Sequence, residues 1–110
     1  MPTRMLVEYL DERGRSPFGK WFARLDAQAA ARVAAALYRL TEGNVSSVKP
    51  VGEGVSEYKL STGPGYRLYF GQDGETLVVL LAGGTKHRQA DDIKRAQARW
   101  LDYKRRKRNQ

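Results

Sequence analysis

The folds open to this chain are narrowed most by a change of hydrophobic period after Gly43-Asn44. Before that point the apolar residues recur with helical spacing. Ser16-Pro17 is a helix-start pair, with Ser as N-cap and Pro at the first position, where its missing N–H costs nothing. Phe18, Trp21, Phe22 and Leu25 then fall at i, i+3, i+4 and i+7, on one face. Asp26 can cap a second helix whose stripe is Ala30, Val33, Leu37 and Leu40, stopped by Gly43. Its many alanines allow close approach to a neighbour.

After Gly43 the alternation is twofold. Val55 to Leu60 puts Tyr58 and Leu60 on one face, and Glu57 and Lys59 on the other. Ser61 to Gly65 is turn chemistry, Tyr66 to Gly71 resumes the alternation, and Asp73-Gly74 is a strong hairpin signal. Leu77 to Ala82 is unbroken apolar, the pattern of a central strand covered on both faces, and Gly83-Gly84 is expected to end it. With a short first strand at Leu6–Leu10 and a last helix from Gln89 to Tyr103, the order is β-α-α-β-β-β-α. The fold class is α+β: a small antiparallel sheet with an N-terminal helical hairpin packed on it and a C-terminal helix.

At 110 residues, 41% of them hydrophobic, the chain forms one domain with a core of its own. It has no cysteine, which excludes disulfides, Fe–S clusters, Cys-ligated zinc and thiol nucleophiles. No apolar run reaches the roughly 20 residues of a membrane helix, and the N-terminus lacks the apolar core of a signal peptide. A cytoplasmic protein without membrane contact is expected.

The net charge of +8 is concentrated near the C-terminus. From Lys94 onward there are eight basic residues against Asp102 alone, whereas the preceding segment is nearly neutral. The reading is a domain over 1–103 and a basic tail over 104–110, in which Lys104, Arg105, Arg106, Lys107 and Arg108 favour a polyanion such as nucleic acid. The plainer alternative is a solvated helix end, helped by cations near its C-terminus.

If the strands flanking Ser61–Gly65 form a hairpin, Leu60 faces Tyr66, Tyr58 faces Leu68 and Lys59 faces Arg67. Like charges directly opposite are destabilising, and a phosphate held between them would relieve the repulsion. Glu57, diagonal to Arg67, could neutralise it instead. Tyr69 shares the face of Arg67 and either stacks on a base or packs under a helix. Lys49 precedes Pro50 and the Gly52-x-Gly54 segment, and Lys86, His87 and Arg88 follow the apolar strand, where a rigid scaffold presents side chains. His87 is the one histidine, so a two-histidine ribonuclease is excluded. Asp91 and Asp92 open the last helix, where anions are expected on dipole grounds; they lack a third ligand, and no metal is expected. Neither Gly52-x-Gly54 nor Gly63-x-Gly65 has the strand-to-helix context of a phosphate loop.

Gly43-Asn44, Val48 to Glu57, Gly63-Pro64-Gly65-Tyr66-Arg67-Leu68-Tyr69-Phe70, Leu80 to Lys86, Gln89 and Asp92-Ile93-Lys94-Arg95-Ala96 together resemble the HigB-like addiction-module killer proteins of the RelE/ParE toxin superfamily. The resemblance covers roughly residues 18–100. It implies a RelE-like fold and a type II toxin neutralised by a cognate antitoxin, a small helix-turn-helix protein, with operator DNA bound only through the complex. It further implies an endoribonuclease that cuts messenger RNA on the ribosome without metal or other cofactor. Arg67 matches the family's strand arginine, the transition-state clamp. Lys86, with His87 and Arg88 beside it, matches the basic position after the last strand. Lys49 and Lys59 lie where relatives carry basic residues for RNA or proton transfer. The tyrosine that RelE uses early in its C-terminal segment is replaced here by Asp91-Asp92, so the proton-transfer group is unassigned among Lys49, Lys86 and His87. The same superfamily holds ParE-like gyrase inhibitors, and a non-catalytic nucleic-acid-binding relative is a third possibility.

Overall fold

A computed structural model describes residues 3–44, 46–60 and 63–110. The elements in chain order are β1 (Met5–Glu8), α1 (Pro17–Ala23), α2 (Ala27–Thr41), β2 (Val48–Pro50), β3 (Val55–Lys59), β4 (Arg67–Asp73), β5 (Leu77–Gly84), a single 3₁₀ turn (Lys86–Arg88) and α3 (Gln89–Arg108). Both N-terminal caps form as the sequence dictates: the Ser16 side chain accepts from the Gly19 N–H, and that of Asp26 from the Ala29 N–H.

The five strands run in the order β1-β5-β4-β3-β2. Three of the four pairings are antiparallel, and Lys59 faces Arg67 as the hairpin register requires. Residues 61 and 62 of the intervening turn lie outside the described residues. Two strands differ from the sequence reading. β1 joins β5 in parallel, Met5 beside Leu77, so the sheet is mixed at that edge. β2 is an additional edge strand in which Lys49 pairs with Glu57. Three residues ending in proline carry no alternation to detect, and proline is admitted only at an edge.

The helices lie on opposite faces. Phe18 of α1 and Val33, Ala36 and Leu40 of α2 pack with Tyr58, Leu60, Leu68, Phe70, Val78 and Leu80. The buried stripe of α2 is centred on Ala29, Val33, Ala36 and Leu40, one step round from the stripe read in the sequence; Leu37 is only half-buried. On the other face, Ala96 and Trp100 of α3 cover Val55, Tyr69, Val79, Leu81 and Ala82.

Glycines set the distance of approach. A Cβ on Gly71 would lie 2.4 Å from the Trp100 ring, and one on Gly83 would lie 2.1 Å from that of Trp21. Gly83 and Gly84 therefore do not end β5, which runs through both; they admit Trp21 on one face and Asp92 on the other. A bulge at Leu81, where Tyr69 pairs with Ala82 but Phe70 with Leu80, takes the Leu81 carbonyl out of the ladder. The guanidinium of Arg99 donates to it at 2.9 Å.

α3 runs five residues past Tyr103, so Lys104 to Arg108 are helical. Lysine and arginine are good helix formers and suit a helix C-terminus. Among the described residues, no helix is long and apolar enough to cross a membrane.

Candidate functional site

The first residue of β4, Arg67, enters the sheet from the 63–65 turn and is almost fully buried. Its Nη1 donates to the Gly65 carbonyl at 2.9 Å, and its Nε lies 3.5 Å from Glu57 Oε2. Glu57 faces the same way from β3 because residues diagonal across an antiparallel pair share a face. The carboxylate of Glu57 is fully buried and serves three neighbours. Gln89 of α3 donates to Oε2 at 2.8 Å, and the Lys49 ammonium on the edge strand sits 3.6 Å from Oε1. The Lys49 side chain is 63% exposed, so it connects this buried pair to solvent. Glu57 thus pairs with Arg67, the neutralisation that the sequence left open beside anion binding.

Lys86 joins the same end of the sheet. Gly65 lies between it and Arg67: a Cβ on Gly65 would stand 3.2 Å from Arg67 Nη1 and 3.3 Å from Lys86 Cβ. Lys49, Arg67 and Lys86, drawn from three separated segments, thus gather around Glu57 and Gly65. His87 is exposed beside Lys86 in the same 3₁₀ turn.

The remaining residues singled out by sequence go elsewhere. Tyr69 is fully buried under α3, the packing alternative rather than the stacking one. Its hydroxyl has no hydrogen-bond partner among the described residues. Burial, together with the nearby charges of Glu57 and Asp92, pushes its pKa well above that of an ordinary phenol. Lys59 is exposed at the end of β3 and lines a groove with Arg32 and Arg39 of α2. Arg88 borders a different cleft, beside Asp92.

The basic tail lies at the other end of the molecule. Six residues of strand separate Arg67 from Asp73, about 20 Å, and Lys107 pairs with Asp73 at 2.5 Å. Arg106 donates to Asp102 and to the Leu10 carbonyl and stacks on the Tyr9 ring, while Arg105 Nη2 is 3.9 Å from Asp102. Lys104 sits over Trp100. These cations are partly neutralised by their own helix and by the sheet, so the segment is a helix end held against the domain, not a free arm.

Two site residues were missed. Gln89 entered only as one residue of the family resemblance, at the start of a helix, with nothing to mark it as a partner of Glu57. Asp92 did carry one: Asp92, Ala96 and Trp100 fall at i, i+4 and i+8, so the carboxylate lies on the buried stripe of α3. It packs on Gly84, the residue paired with Arg67, and its Oδ2 has no hydrogen-bond partner among the described residues. Burial pushes its pKa up, although Arg88, Arg95 and Arg99 pull the other way. Among the described residues, no three His, Cys, Asp or Glu side chains gather as a metal centre would require.

No family model matches the chain. Over 80 residues it is 39% identical to an uncharacterised protein of Haemophilus influenzae, a match spanning 72% of this chain and 81% of that one. Its structure is similar to that of the Escherichia coli toxin RelE in the free state, in a form with two arginines replaced by alanine. The TM-score is 0.60 at 21% identity, covering 84% of this chain and 97% of the other. At that identity the likeness concerns the fold.

Proposed function

We propose that this chain, which belongs to one family with the uncharacterised Haemophilus influenzae protein and has the fold of the RelE toxin, is the toxin of a type II toxin–antitoxin system, a ribosome-dependent and metal-independent endoribonuclease acting on messenger RNA in the cytoplasm. The observation that carries this reading is the placing of Lys49 and Arg67 on the buried Glu57, with Lys86 across Gly65 from Arg67, at one end of the sheet.

In such a reaction the ribose 2′-oxygen attacks the adjacent phosphorus and the bond to the 5′-oxygen breaks, leaving a cyclic phosphate and a 5′-hydroxyl. A proton leaves the 2′-hydroxyl and another reaches the departing oxygen. Charge grows on the phosphoryl oxygens, and preorganised cations lower that barrier. Arg67 suits the clamp, because a guanidinium holds two oxygens with its planar fork whereas an ammonium is a point charge. A phosphate reaches it by replacing the Gly65 carbonyl or Glu57. Lys86 is the second cation, and the Lys49–Glu57 pair is the group to which we assign proton transfer. The partner is a cognate antitoxin, a small helix-turn-helix protein through which the pair contacts operator DNA.

Loss of one such donor costs on the order of 100- to 1000-fold in rate. Arg67→Ala should therefore abolish growth arrest on induction, with Arg67→Lys restoring it only in part, while both variants still fold and still capture the antitoxin. Primer extension on cellular transcripts should map cuts for the wild type and none for Arg67→Ala. A fully toxic Arg67→Ala would refute the clamp. Growth arrest with intact transcripts and broken DNA would refute the ribonuclease reading in favour of gyrase inhibition.

A further inference from the structure

A second cationic site lies on the open side of β5. β1 ends at Glu8, beside Leu80, and the Tyr9 N–H to the Leu80 carbonyl is the last ladder bond on that side. Beyond it, Ala82, Gly83, Gly84 and Thr85 form the floor of a cleft of about 380 Å³ between α1 and α3. Lys20 of α1 and Arg24 at its C-terminal cap line it on one side, and Arg88, Arg95 and Arg99 from the turn and α3 on the other. Against these five cations the cleft wall holds one carboxylate, Asp92.

The arrangement is built from inside. Asp92 is 8% exposed, so its carboxylate is a nearly buried part of the cleft wall. Its Oδ1 is 3.8 Å from Arg95 Nη1, and its Oδ2 has no partner among the described residues. Arg99 is fixed by its bond to the bulge carbonyl of Leu81. Lys20, Arg24 and Arg88 form no ion pair among the described residues. The buried anion thus holds Arg95, and the Leu81 carbonyl holds Arg99, while half of the Arg95 side chain remains exposed. Crowding like charges in this way is costly until an anion enters, and arginines so held match phosphate oxygens in pairs.

We infer that this cleft binds a backbone phosphate of single-stranded RNA, as a subsite separate from the Arg67 cluster, with Asp92 as the residue that positions Arg95. The inference rests on the reading that the chain acts on RNA. Lys20 and Arg24 extend the cationic track from α3 across to α1, a path suited to an extended strand.

The test uses a labelled 12-nucleotide RNA with 2′-O-methyl groups throughout, which cannot undergo attack by its own 2′-oxygen, and reads binding to the full chain by fluorescence anisotropy. Arg24→Ala/Arg95→Ala should weaken binding about tenfold near 0.1 M salt. It should also flatten the slope of log K against log salt by up to about two. A control pair at the helix end, Lys104→Ala/Arg105→Ala, should have a smaller effect. Asp92→Asn gives a reading of opposite sign for the two explanations. Removing a negative charge beside a polyanion tightens binding if charge alone matters, whereas loss of the positioning anion loosens it. We expect a several-fold loss, with melting no lower than that of the wild type. Unchanged binding in Arg24→Ala/Arg95→Ala, or tighter binding in Asp92→Asn, overturns the subsite even if transcripts are cut in cells. Absence of transcript cleavage by the wild type overturns instead the reading on which it rests. If the double variant keeps its RNA affinity but no longer captures the antitoxin, the cleft takes an acidic protein segment and the proposal fails.

Discussion

Replacing Glu57 with glutamine should destabilise the protein far more than replacing Arg67 with methionine, although the two residues form one ion pair. At 3.5 Å, with an effective dielectric constant of roughly 20, the attraction between the two charges is about 5 kcal/mol. Desolvation of both groups offsets much of it, and measured losses on removing one partner of a buried pair run to about 3–5 kcal/mol. Glu57→Gln leaves the buried guanidinium of Arg67 with the Gly65 carbonyl and no counter-charge. We expect a loss of about 3 kcal/mol and a Tm lower by more than about 10 °C. Arg67→Met leaves Glu57 with Gln89 and with Lys49, whose exposed ammonium can follow it. That change should cost only about 1–2 kcal/mol. The double variant should recover part of the Glu57→Gln loss, because no unpaired charge remains. Urea denaturation of the four proteins closes the cycle. A Glu57→Gln loss below about 1 kcal/mol, or strict additivity in the double variant, would refute the claim that the carboxylate exists to hold Arg67.

Two further outcomes follow from packing and from titration. Gly71→Ala would press a methyl group to 2.4 Å from the Trp100 ring, which is itself stacked on Tyr103; it should cost about 2 kcal/mol or more and shift the tryptophan emission to the red, and wild-type stability in urea would show that α3 is free to lift. Asp73 and Asp92 should respond to pH with opposite sign. Hydrogen bonds from Lys107 and Tyr103 hold the Asp73 carboxyl below its ordinary range, so its contribution is present at pH 7 and is lost as pH falls through the folded-state value; burial raises Asp92, which therefore costs stability at pH 7 and regains it on acidification. Asp73→Asn should thus lower the urea midpoint at pH 7, Asp92→Asn should raise it, and both differences should shrink toward pH 3.5; two shifts of the same sign would overturn the burial assigned to Asp92.

What the sequence determined by itself was whatever depends on neighbours a few residues apart. The caps at Ser16 and Asp26, the period change after Gly43, the hairpin at Asp73-Gly74 and the facing of Lys59 and Arg67 rest on local backbone chemistry and alternation, and all of them stand in the structure. What only the tertiary structure decided depends on which surfaces meet. Nothing local makes β1 run parallel to β5, or makes three residues ending in Pro50 an edge strand. Gly83-Gly84 reads as a break because a glycine pair weakens a strand, yet here the missing side chains make room for Trp21 and Asp92. The helix outlasts its apolar pattern through Lys104–Arg108 because Asp73 and the Leu10 carbonyl, distant in sequence, receive Lys107 and Arg106, beside the local pairs with Asp102 one turn back. The candidate site divides the same way. Arg67 was legible as a strand cation, Lys86 as a basic residue after a strand, and Lys49 only as a lysine in a segment entering the sheet. That they gather around Glu57 and Gly65, while Tyr69 is sealed beneath α3 and Arg88 turns to a separate cleft, follows from α3 crossing the sheet at Glu57 and Gly84. A pattern read along the chain carries no record of such a crossing, since it is fixed by packing between segments more than thirty residues apart.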